Sequence, residues 1–152
     1  MITRIALFLI VNFAALGIGG LLMDKGPSSE WYQTLDKAPW TPPGWVFGAA
    51  WTLIMICFSV YMAKAWSMAS NQKILIILFA VQWILNVSWN PAFFKYHEVL
   101  LGLVIITLLT ILIGYILFRY ANQLKLWSIL LLPYFIWLLI ATSLNAYIHF
   151  KN

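Results

Sequence analysis

The chain has 152 residues, of which 64% are hydrophobic and 9% charged, against roughly 45–50% apolar and about 25% charged in ordinary globular domains. That composition excludes a soluble catalytic domain, and nucleic-acid recognition with it, despite a formal net charge of +5. The charged residues leave five charge-free runs, Ile5–Met23, Ala38–Ala63, Ile74–Phe94, Val99–Phe118 and Leu126–Phe150. A helix rising about 1.5 Å per residue needs around 20 residues to cross a roughly 30 Å hydrocarbon core, and every run meets that length. The expected fold is therefore all-α. It is one domain over residues 1–152, an integral membrane bundle of five transmembrane helices near 5–23, 43–65, 74–94, 99–118 and 126–149, with a structured first loop.

The first span follows Arg4 and resembles a signal peptide in its small residues, but it is too long for a typical signal core and is read as an uncleaved helix. Ala15 and Gly19 form a small-xxx-small pair that lets another helix approach, within the monomer or in a homodimer. The loop from Asp24 to Thr41 holds Trp31, Tyr32, Leu35, Trp40 and several prolines. Ser28 or Ser29 caps a short helix through Leu35, and the proline-bracketed stretch 38–43 is extended. Thr41 and Pro42 then resemble the N-cap and first position of the second span. Such a stiff aromatic segment suits a lid over one mouth of the bundle; interfacial belt residues are the alternative.

Polar side chains inside the spans carry the functional signal, because each costs free energy in hydrocarbon unless it has a partner or a purpose. Span two contributes Trp45, Phe47 and Trp51, with Met55 one turn further on. In span three Gln82, Asn86 and Asn90 recur every four residues, with Trp89 and Phe93 near the same stripe. Span four looks like lipid-facing scaffold. In span five Tyr134, Trp137, Ala141 and Asn145 share a face, and Pro133 is expected to kink the helix before Trp137. If the three faces converge they enclose a cavity with apolar walls and a few neutral hydrogen-bonding points, suited to a flat polycyclic lipophile such as a porphyrin or sterol. Interhelical glue is the alternative.

No acidic or basic side chain lies within a span, which argues against an intramembrane proton relay, and five helices divide poorly into inverted repeats. His97, His149 and Cys57 show no metal-ligand spacing, so no metal site is assigned. Cys57 reads as a small buried hydrophobe. One side of the bundle would carry Arg4, Lys64, Lys73, Arg119 and Lys125 without an acid, and the other Lys25, Lys37, Lys95 and Lys151 with all four acids. By the positive-inside rule the N-terminus faces inside and the C-terminus outside.

Three motifs in order carry a resemblance: Trp31-Tyr32 with Lys37-Ala38-Pro39-Trp40-Thr41-Pro42-Pro43, Phe47 and Trp51; Gln82, Leu85-Asn86, Trp89 and Phe93-Phe94; and Pro133-Tyr134, Trp137, Ala141 and Leu144-Asn145. Together they resemble the TspO/MBR family, the tryptophan-rich sensory or translocator proteins, over essentially the whole chain. The resemblance implies a five-helix bundle, commonly a homodimer, whose pocket beneath the first loop binds porphyrin and haem-like tetrapyrroles as ligands, with no required cofactor. In many members it also implies binding of sterols and benzodiazepine-type drugs, and in some bacterial ones light-dependent porphyrin breakdown. Carried over, the pocket comprises Tyr32, Trp40, Pro42, Phe47, Trp51, Gln82, Asn86, Trp89, Phe93, Tyr134, Trp137, Ala141 and Asn145, with Trp51 and Trp137 the candidates for photochemistry. Leu144, Tyr147 and Lys151 match a loose sterol-recognition pattern that a belt tyrosine and a snorkelling lysine explain equally well. A membrane receptor for porphyrins is the leading expectation. A facilitator of tetrapyrrole or sterol passage and a regulatory protein acting through partners are the alternatives. The absence of a presequence or long basic tail points to a bacterial cell membrane.

Overall fold

The structure, a computed structural model, describes residues 1–152 and is built from helices without strands. Five long helices, α1 (Ile2–Leu22), α3 (Gly44–Met68), α4 (Gln72–Asn90), α5 (Val99–Leu124) and α6 (Leu132–Lys151), correspond to the five charge-free runs. The short α2 (Glu30–Thr34) lies in the first loop. The long helices are apolar on nearly every side, as expected where the outer solvent is lipid. In order around the bundle they run α1, α3, α6, α5, α4 and back to α1, each touching the next.

Little transfer free energy is gained by moving an apolar side chain from lipid into protein, so close packing and interhelical hydrogen bonds set the register. Between α1 and α3, Asn12 Nδ2 donates to Ser59 Oγ at 2.8 Å and Arg4 Nη1 to Ser67 Oγ at 2.8 Å. Each bond is displaced from the other by two turns on both helices, which makes the pair antiparallel. The Arg4 half of the bundle is filled by Met55, Phe58, Tyr61 and Met62 of α3 with Leu75, Ile113, Ile116 and Leu138. Ala15 and Gly19 are buried within the monomer, and a Cβ at Gly19 would lie 2.6 Å from Asn90 Nδ2 of α4.

Three sequence expectations need correction. First, α5 is not lipid-facing scaffold: Ile106, Leu109, Ile113, Ile116 and Leu117 are buried against its neighbours. In lipid a polar stripe does not mark the inner face of a purely apolar span. What marks it is glycine, since a Cβ at Gly114 would meet Phe135 at 3.0 Å and one at Gly102 would meet Asn145 Oδ1 at 3.1 Å. Second, Pro133 kinks nothing. A 3-10 segment, Lys125–Leu131, precedes α6, and Pro133 falls in its first turn, where a backbone N–H has no helical partner to lose. Third, α3 begins at Gly44 with Pro43 as its cap. Thr41 turns back instead, its N–H and Oγ1 both donating to Ala38 O at 2.9 and 2.6 Å.

At the other end of α4, Pro91 lacks the N–H that would continue the ladder, and the chain widens into a π turn, Pro91–Lys95, closed by Tyr96 N donating to Pro91 O at 2.9 Å. The wider turn buries Phe93 and Phe94 beneath the first loop, against Trp31 and Tyr32.

Candidate functional site

The first loop is built to stay in place. Ser29 is the cap of α2, its Oγ accepting from Tyr32 N at 3.2 Å. Lys37 Nζ donates to the carbonyls of Tyr32, Gln33 and Leu35 at 2.9, 3.1 and 3.3 Å, satisfying the C-terminal end of the same helix. Trp31 stacks on His97 with ring centres 4.1 Å apart. Trp40 Nε1 donates to Ser143 Oγ of α6 at 3.1 Å, and its ring meets Tyr147 edge-on at 5.5 Å. Asn152 exchanges two hydrogen bonds with the backbone of Asp36, at 2.8 and 3.1 Å.

Beneath this roof lies a cavity of about 600 Å³, within the usual 300–1,000 Å³ of small-molecule sites. Ten of the residues expected at the site line it: Tyr32, Pro42, Phe47, Trp51, Asn86, Trp89, Phe93, Trp137, Ala141 and Asn145. Three do not. Trp40 sits outside, more than half exposed on α6. Gln82 and Tyr134 lie deeper in the bundle, where the Tyr134 hydroxyl donates to Gln82 Oε1 at 3.0 Å and the Tyr134 ring supports Trp51 edge-on at 5.9 Å. Of the C-terminal sterol-like pattern only Leu144 reaches the cavity. Tyr147 contacts Trp40, and Lys151 sits over the Tyr147 ring at 5.9 Å.

The amides on the cavity wall have different duties. Asn145 is fully committed: its Oδ1 accepts from Trp89 Nε1 at 3.0 Å and its Nδ2 donates to Val99 O at 3.0 Å. It thereby fixes Trp89, which stacks on Phe93 at 5.2 Å. Asn86 is 6% exposed, lines the cavity, and lends only its backbone carbonyl to a neighbour, Asn90 Nδ2. Its side-chain amide has no partner in the chain. The Trp137 indole N–H is likewise buried without an acceptor, while its ring meets Phe47 edge-on at 5.3 Å. The Tyr32 phenol looks in from the roof, and burial pushes its pKa above the ordinary value, so it is a neutral hydrogen-bonding group.

The only charged lining residue is Lys37, whose ammonium is held by carbonyls. The lining also includes a side that sequence reasoning did not find, with Leu16 and Gly20 of α1, Met23 just past its end, and Gly44, Gly48 and Thr52 of α3. None of these carries a polar or aromatic signal strong enough to single it out.

Residues 7–151 match the TspO/MBR family model. The tryptophan-rich protein TspO of Chlorobaculum tepidum is 36% identical over 135 residues, covering 86% of this chain and 85% of that protein. TspO of Archaeoglobus fulgidus is 34% identical over 145 residues, 94% of each chain. The human translocator protein is 27% identical over 124 residues, 79% of this chain and 73% of that one. With the five-helix bundle and a family match running almost end to end, the chain belongs to the TspO/MBR family.

Proposed function

We propose that the protein is a membrane receptor for porphyrin and related tetrapyrrole lipophiles, held as ligands in the cavity beneath the first loop. One observation carries this reading. The cavity is aromatic and apolar on its walls, yet it presents the unpartnered amide of the largely buried Asn86 and keeps the Trp137 N–H buried without an acceptor. A buried donor without an acceptor costs about 1–3 kcal/mol, so a ligand offering nitrogen or oxygen acceptors at the edge of a flat ring gains by pairing with it. No cofactor is needed for this. Sterols and benzodiazepine-type drugs share the flat apolar shape and belong to the same reading. A homodimer would pair through lipid-facing side chains other than Ala15 and Gly19, which are packed within the monomer.

The positive-inside count favours a cytoplasmic N-terminus, and the bacterial source of several relatives favours a bacterial cell membrane. The direct test is titration of protoporphyrin into the protein in lipid nanodiscs, read by tryptophan quenching. Saturable one-to-one binding above that of empty nanodiscs is expected. Uptake indistinguishable from empty nanodiscs would overturn the receptor reading.

A second activity is favoured by the placement of Trp51 and Trp137 on one cavity. An indole can give an electron to a photoexcited porphyrin beside it, with dioxygen as the terminal oxidant, so light-dependent porphyrin breakdown fits the same site. Loss of porphyrin absorbance under illumination, against dark controls and empty nanodiscs, tests it.

A further inference from the structure

The helix ring is not equally closed around the cavity. Among the lining residues carried by the long helices, only Gly44, Gly48 and Thr52 are exposed, and all three lie on one stripe of α3. Opposite Gly48 and Thr52, in the register set by Asn12–Ser59 and Arg4–Ser67, come Met23, just past the end of α1, and Gly20 of α1. Glycines at a helix seam ordinarily let two backbones touch. Gly19 does that, against α4, but Cβ atoms built at Gly20, Gly44 and Gly48 would meet nothing within 4 Å. Here the glycines border a gap. The rim is apolar as well, because Thr52 Oγ1 turns back to donate to Gly48 O at 2.8 Å. From Gly44 to Thr52 the gap extends about 12 Å along α3, at about 1.5 Å per residue. It leads to the cavity that holds the unpartnered Asn86 amide, itself 94% buried, with only 6% exposed.

On the aqueous side the first loop is tied to the rest of the chain by Trp40 at Ser143, Asp36 at Asn152 and Trp31 at His97. We propose that the gap between α1 and α3 is a lateral portal, through which a lipophile dissolved in the bilayer passes into the cavity and returns, and that Gly20 and Gly48 set what can pass. The proposal rests on the receptor reading and extends it. The first loop is then a fixed roof, and exchange with the ligand runs through lipid.

The test is stopped-flow tryptophan quenching in proteoliposomes, with protoporphyrin preloaded in the membrane. Gly48→Phe and Gly20→Phe fill the gap from opposite sides, each directing its new side chain from a Cβ that meets open space, and Gly17→Leu adds bulk to α1 at an exposed glycine that does not line the cavity. Both phenylalanine variants should slow association and release together by about tenfold or more, as a blocked gate does, while Gly17→Leu stays within about twofold of the parent. Rates unmoved in both phenylalanine variants would overturn the portal. So would weakened binding through faster release with association intact, which makes these glycines walls of the site. Absence of saturable binding in the parent protein removes the receptor reading first, before any variant is compared.

Discussion

Asn86 and Asn145 show how little a residue's type says about its duty. Both are asparagines on the faces expected to converge, and both line the cavity. Asn145 has its amide committed to Trp89 and to the Val99 carbonyl, whereas the Asn86 amide is left over. Asn86→Leu should therefore keep the thermal stability of the bundle, since an apolar residue suits the position, and weaken porphyrin binding by about 1–3 kcal/mol. Isothermal titration or quenching on the folded variant measures this, and unchanged affinity would reduce Asn86 to packing. The tryptophans invite a different substitution. Trp51→Phe and Trp137→Phe keep an aromatic wall and should cost about 1–2 kcal/mol through the smaller ring, with binding retained. Porphyrin loss under light should fall out of proportion to that change. Breakdown that merely tracks occupancy in both variants would discard the photochemical role.

At the scale of elements, helix ends were harder to read than helix existence. The charge-free runs locate five spans, but Thr41, Pro42 and Pro133 stand elsewhere than expected, because proline fits the first turn of a helix, the turn before it and a kink inside it equally well in one dimension. Which applies depends on where the neighbouring backbone groups find partners. Ser29 is the opposite case: an N-cap is a local device, and one of the two serines weighed for the role does hold Tyr32 N. The end of α1 gives a further prediction. Asp24 follows its last turn with a φ of 57° and is exposed, a left-handed conformation that strains a residue carrying a Cβ. Asp24→Gly should raise stability by about 1 kcal/mol, seen as a higher melting temperature in detergent. A lower one would mean that the aspartate side chain contributes more than its backbone costs.

For the whole molecule, alternation of the five long helices gathers Arg4, Lys64, Lys73, Arg119 and Lys125 at one end, away from all four acids. If that end is cytoplasmic, an impermeant maleimide added to intact cells should label Ser28→Cys and spare Asn122→Cys until the membrane is opened, both in a Cys57→Ala background. The reverse pattern would invert the topology. Hydropathy and charge spacing are enough to determine a five-helix membrane bundle, and the aromatic and amide stripes of α3, α4 and α6 mark eight residues that line its cavity, because those properties are periodic along a single helix, whereas Tyr32 and Pro42 of the first loop come to the site only through the family resemblance. Only the tertiary structure decided that α5 is central, that Tyr134 and Gln82 bond to each other below the cavity, that Asn145 is committed while Asn86 is not, and that Gly20 and Gly48 line the cavity with open space at their Cβ positions. In a membrane the inner and outer faces of a helix are equally apolar, so burial leaves no mark on an aliphatic or glycine-bearing span, and the distance between two helices is a property of neither sequence segment alone.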